Sequence, residues 1–305
     1  MRCQEIRQIL PDSAKVCRPI AIRCRFTGLA TTINPRNGAP DMENYDEYRA
    51  DEVAPAGIPA ATVVIFRNGR EGGPAELLML ERSAQMRFAA GAVVFPGGRI
   101  DPADRELAAS LDIGLDPEDA AARIAGIRET LEETGLALGI VEPVTAEQAS
   151  AAREFLLEQG ALGPVLQRFG WTLALDRMVP FARWLPRNRH IKIFDTRFYL
   201  YDIGTGAVDI TVDDTENRHL FWASASEVLR RADAGELHVI YPTRRNLERL
   251  AAYPTFAECR AHAETTPVVT VTPYIEQRGG VPWLIVPPEA GYPIDGEPVD
   301  VTRRS

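Results

Sequence analysis

Three glutamates within five residues, Glu129, Glu132 and Glu133, are the side chains whose type and spacing point most directly to chemistry. On a helix with 3.6 residues per turn they stand at i, i+3 and i+4 and share one face. Like charges at that spacing repel and cost stability unless a positive charge lies between them. A hard divalent cation meets that need. Mg²⁺ and Mn²⁺ prefer carboxylate oxygen and water, and Mg²⁺ is commonly held by a few carboxylates together with the phosphates of a substrate. The same residues also fit a plain solvated face, with Arg128 paired to Glu132 at i+4. What favours chemistry is their setting: Phe95-Pro96-Gly97-Gly98 precedes them and Gly135-Leu136 follows.

The element that must carry them is a helix over about 117–134. Asp116 caps its start, Pro117 suits the first helical position, Glu118 and Asp119 favour the positive end of the dipole, and Gly135 suits a left-handed stop. Ala120, Ile124, Ile127, Leu131 and Thr134 recur at steps of four and three, a core-facing stripe. At roughly 100° per residue that stripe centres nearly opposite the glutamates. Upstream, 61–66 and 76–80 read as strands joined by a glycine-rich turn, and 91–95 reads as a strand leading into the Gly97-Gly98 turn. Glycines there let backbone approach whatever lies beside it, although a tight turn has the same requirement.

Downstream, Thr145 and Gln148 form a capping box for a helix near 146–158. Residues 178–184 and 194–201 read as strands. Helices are expected from Ser224 to near Gly235 and from Pro242 to about Tyr253, with edge strands or a packed tail at 267–275 and 282–286. Strands mixed with separated helices fit an α/β (α+β) sandwich.

Arg128-Glu129-Thr130-Leu131-Glu132-Glu133-Thr134-Gly135-Leu136 resembles the second half of the Nudix box, G-x5-E-x7-R-E-U-x-E-E-x-G-U with U aliphatic, and matches every fixed position of that half. The first half departs from it. Gly98 and Arg128 lie 30 positions apart against 14 in the compact motif, so 16 extra residues intervene, an insertion at about 99–116. For the first glutamate, counting from Gly98 reaches Asp104, and counting back from Arg128 reaches Ala120; neither is secure. The interruption and its flanks (Leu80-Glu81-Arg82-Ser83, Pro180-Phe181-Ala182-Arg183-Trp184, Phe194-Asp195-Thr196-Arg197-Phe198, Pro242-Thr243-Arg244-Arg245-Asn246-Leu247) are similar to the Nudix branch that includes the peroxisomal coenzyme A diphosphatases. The resemblance covers about residues 60–255.

That resemblance implies a central mixed β-sheet between helices, with the box helix at its active edge. It implies divalent-metal-dependent hydrolysis of a phosphoanhydride bond in a nucleoside diphosphate linked to another moiety, with coenzyme A or acyl-coenzyme A leading. ADP-sugar or dinucleotide hydrolysis is the alternative within enzymes, and a non-catalytic nucleotide sensor is the alternative of another class. Retention of all three box glutamates favours turnover. Glu129, Glu132 and Glu133 are the implied metal set for Mg²⁺ or Mn²⁺, Arg128 orients a neighbouring carboxylate, and Gly97 and Gly98 line the substrate. Glu216, in the acidic stretch Asp213-Asp214-Thr215-Glu216, is the candidate for an additional metal or base role; an acidic turn reads it equally well. Arg82, Arg183 and Arg197 are weighed as phosphate contacts but more often such arginines pair with acids. His190, His219 and His238 are isolated.

Composition agrees with a soluble enzyme. A chain of 305 residues, 45% apolar, can bury one sizeable core. A formal charge of −9 with no basic stripe argues against nucleic acid as a partner, and no stretch has the apolarity of a membrane span. Cys3, Cys17, Cys24 and Cys259 lack metal-ligand spacing, which makes a reducing cytoplasm the economical location. The partner expected is a small-molecule nucleotide, with a homodimer left open. Residues 1–57 read as an extension, a disordered segment or a leader, 58–260 as the catalytic domain, and 261–305 as a tail packed on it.

Overall fold

The computed structural model describes residues 56–83, 91–111, 114–186, 192–204 and 217–299. Its central strand β1 (Ile58–Arg67) is apolar almost throughout, as a strand covered on both faces must be. Parallel pairing with β6 (Phe194–Asp202) occupies one edge of β1 from Ile58 to Phe66. Two partners share the other edge. β2 (Glu76–Arg82) meets β1 only at Phe66↔Leu77 and Arg67↔Glu76, and β4 (Gly97–Arg99) pairs with Ala60, Ala61 and Thr62. Between them β3 (Val93–Val94) pairs with β2, so β1 and β2 form a fork that the 93–99 segment fills.

β5 (Val179–Trp184) lies antiparallel to β6, and β7 (Asn217–Ala223) antiparallel to β2. The short β8 (Thr270–Val271) runs parallel to β5 and completes a mixed eight-stranded sheet.

Alternation along β1 divides the core in two. Ala61, Val63 and Ile65 pack with α1 (Pro102–Ser110), α2 (Pro117–Thr134), α3 (Ala146–Gln159) and α4 (Leu162–Phe169). Val64 and Phe66 pack with α5 (Ala225–Asp233), α6 (Tyr241–Leu250) and α7 (Phe256–Thr265). The result is the α/β/α sandwich expected. A second sheet of β9 (Tyr274–Arg278), β10 (Val281–Ile285) and β11 (Gly296–Pro298) packs through Leu284 into the α5–α7 side. Residue 260, expected to close the domain, lies in the middle of α7. No helix among the described residues is long and apolar enough to cross a membrane.

α2 has the bounds that its punctuation predicts. Asp116 accepts from Asp119 N–H at 3.0 Å, and Gly135 ends the helix with φ 75°. One expectation needs correcting: the helix is not greasy on one side and wet on the other. Ala121, Ala122, Ala125 and Gly126 are buried as well as the predicted stripe, because the inserted segment folds as α1 and packs on α2 along with α3. The small side chains permit this crowding; a Cβ on Gly126 would lie 2.9 Å from Val63 Cγ2. Arg123 anchors the helix base, its Nη1 donating at 2.7 Å to the carbonyls of both Leu175 and Met178.

Candidate active site

The fork delivers the Gly97-Gly98 turn against α2. Gly97 takes φ +152°, a conformation L side chains rarely adopt, and its N–H donates to Glu133 Oε2 at 2.9 Å. A Cβ on Gly98 would fall 2.2 Å from the Glu129 carboxyl group. Both glycines line the cleft, and each serves an acid: one fixes Glu133, the other makes room for Glu129.

Arg128 is the hub of the acid set. It is 3% exposed, where a surface ion pair was the bland alternative. Its Nε donates to Asp104 Oδ1 at 3.0 Å, its Nη2 to Asp104 Oδ2 at 3.0 Å and to Arg99 O at 2.9 Å, and its Nη1 to Glu129 Oε1 at 3.0 Å and Glu132 Oε2 at 3.2 Å. Asp101 Oδ2 lies 3.6 Å from Nη2. Asp104 is 1% exposed and also accepts from Asp101 N–H at 2.9 Å.

Of the two positions left open in the sequence, Asp104 faces Arg128, whereas Ala120 is packed in the core. The count from Gly98 reaches Asp104, and α1 brings it into contact with Arg128.

One guanidinium faces Asp101, Asp104, Glu129 and Glu132, with Glu133 adjoining. Burial alone would lower the Arg128 pKa, but the Asp104 hydrogen bonds and the Glu129, Asp104 and Glu132 charges outweigh it and raise it. Burial pushes Glu129 up to about 7 against the pull of Arg128, and raises Glu132 for the same reason. Carboxylates so short of positive charge fit a divalent cation. Among the described residues no three His, Cys, Asp or Glu side chains converge as a preformed cage. Arg128 draws Glu129 and Glu132 to itself, and Gly97 N–H holds Glu133.

These carboxylates open on a cleft of about 810 Å³. Its floor is the sheet face given by alternate residues in register: Thr62 beside Gly97 and Phe198, and Ala60 beside Arg99 and Thr196, with Trp184 beyond. Arg82 lines it with a buried Nε that has no hydrogen-bond partner among the described residues. Arg183 is committed elsewhere, to Asp195 at 2.7 and 2.6 Å. His219 stacks on Phe221. Glu216, with the rest of 213–216, and His190 lie outside the described residues.

A mixed sheet between two helical layers, with the box helix seated on a glycine turn in a strand fork, defines the Nudix hydrolase fold, and the chain has it. The crystal structure of a NUDIX hydrolase from Alicyclobacillus acidocaldarius is similar at a TM-score of 0.58 and 28% identity, covering 70% of this chain and 98% of that one. The chain is also similar to the acyl-coenzyme A diphosphatase NUDT19 of Gallus gallus, 27% identical over 232 residues, covering 58% of this chain and 61% of that protein. The putative nudix hydrolase 7 of Caenorhabditis elegans is 23% identical over 191 residues, covering 61% and 59%. The matched regions span about three fifths of these two curated relatives. No protein-family model matches the chain.

Proposed function

We propose that the chain hydrolyses a phosphoanhydride bond in a nucleoside diphosphate linked to another moiety, that coenzyme A or an acyl-coenzyme A is the substrate, and that Glu129, Glu132 and Glu133 hold Mg²⁺ or Mn²⁺. The observation that carries this reading is the buried Arg128 hub, which orients an acid set short of positive charge toward one cleft. When bound, the divalent ions supply phosphate bridging, an activated water and neutralisation of the leaving phosphate. Water adds to one phosphorus as the P–O–P bond breaks. The chain's own part is positioning: Arg128 sets the rotamers of Glu129 and Glu132, Gly97 N–H sets Glu133, and Arg82, whose buried Nε has no partner among the described residues, would hold a phosphate oxygen. Similarity to an acyl-coenzyme A diphosphatase and the interrupted box support the coenzyme A choice.

Incubating the full chain and Mg²⁺ with coenzyme A, an acyl-coenzyme A, ADP-ribose, NADH and diadenosine compounds, with products identified by mass, tests it. The expected products are 3′,5′-ADP and a 4′-phosphopantetheine species. Cleavage of ADP-ribose or NADH alone would move the substrate to the ADP-sugar or dinucleotide reading, and no cleavage of any would leave the sensor reading.

Gly98→Ala probes the crowding at the turn. Its methyl group would occupy the space of the Glu129 carboxylate, so divalent-dependent turnover should fall at least about tenfold, as for loss of an outer support of a metal ligand. Initial rates against metal concentration check this. Full activity would mean that Glu129 need not sit against the turn.

A further inference from the structure

Ile240, Pro242 and Thr243, at the start of α6, make another part of the cleft wall. Ile240 holds the N-cap position and no side chain caps the helix, since isoleucine offers no oxygen to the first-turn N–H groups. The first helical bond runs from Arg244 N–H to Ile240 O at 2.9 Å, and Pro242 has no N–H, so Thr243 N–H has no partner one turn back. The first turn carries no acidic side chain.

Thr243 itself is 4% exposed, lines the cleft, and its hydroxyl makes no hydrogen bond among the described residues. The side chain is thus held by burial while its hydroxyl is left without a protein partner among the described residues, in a residue that lines the cleft.

The position is held from two sides. Val93 N–H donates to His238 O at 2.7 Å, and Trp184 packs edge-on to Tyr241 at 6.0 Å. Behind the helix, Tyr241 OH donates to Leu284 O at 2.9 Å and Arg245 pairs with Glu297 at 3.0 Å. Lys192 adds a positive charge to the same cleft.

The geometry points to an oxyanion subsite at the start of α6, where Thr243 hydroxyl and N–H bind a second phosphate of the substrate, a phosphomonoester separate from the diphosphate being cleaved. It rests on the proposed reading only in placing that diphosphate at the carboxylates. A helix N-terminus favours such a group through its free N–H donors and its dipole. The substrate class this selects is a nucleotide phosphorylated on its ribose as well as through its diphosphate.

Calorimetric titration of the full chain with adenosine 3′,5′-bisphosphate and with 5′-AMP, in the presence of Mg²⁺, tests the subsite. The bisphosphate should bind about tenfold more tightly than AMP, and Thr243→Val should bring the two within about threefold. Ile240→Asp, which caps the helix and puts a carboxylate in the subsite, should erase the same preference without lowering the melting temperature. Equal affinities in the unaltered chain, or a preference unmoved in both variants, would overturn the subsite. The titration needs no turnover. Failure to cleave coenzyme A with the preference and its loss intact would refute the substrate reading alone, whereas cleavage with an unmoved preference would refute the subsite alone.

Discussion

Glu133→Gln is expected to lower divalent-dependent phosphoanhydride cleavage about a thousandfold, a loss of about 4 kcal/mol of transition-state stabilisation. The substitution isolates charge from shape. Glu133 is buried and accepts from Gly97 N–H at 2.9 Å, and a glutamine oxygen can accept the same bond. The turn and helix therefore stay together while one negative charge is lost. Initial rates with Mg²⁺ or Mn²⁺, alongside thermal melting, separate the two effects. Turnover unchanged in a variant that melts normally would remove Glu133 from the assigned role.

Arg128→Met is expected to act first on stability. It leaves Asp104, 1% exposed, without its main counter-charge and frees Glu129 and Glu132 to repel each other. Removing one partner of a buried pair costs about 3–5 kcal/mol, on the order of 10 °C in melting temperature for a domain of this size. Asp104→Asn is the measured contrast. The amide keeps the shape and one acceptor, so its loss should be smaller, and Arg128 retains Glu129 and Glu132. Equal melting of Arg128→Met and the unaltered chain would show that the hub does not hold the two helices together.

How far these features are legible in the sequence depends on the range over which each is determined. Asp116, Pro117 and Gly135 mark both ends of α2 because caps act within one turn, and Thr145 with Gln148 does the same for α3. α1 carried a similar signal in Asp101 and Pro102, but the interrupted motif made its residues read only as an insertion. α4 lies between Gly160 and Gly170 and contains Gly163 and Pro164, so local propensity argues against it; burial of Leu162 and Val165 holds it. α7 lies outside the expected helices, although Thr255 and Glu258 form its capping box. In the site, the glutamates were visible as a local row. The grip of Arg128 on Asp104 spans 24 positions and depends on how α1 folds back, which no local spacing encodes. The service of Gly98 to Glu129 is hidden for the same reason: it is a contact between distant segments.

Since the guanidinium gathers acids from α1 and α2 through space, the length of chain between those helices is under no geometric control from the site. A longer or shorter stretch there would leave the contacts of Arg128 in place, and a linear signature that demands a fixed interval would pass such chains by. Their kinship is written in a charge constellation rather than in a ruler.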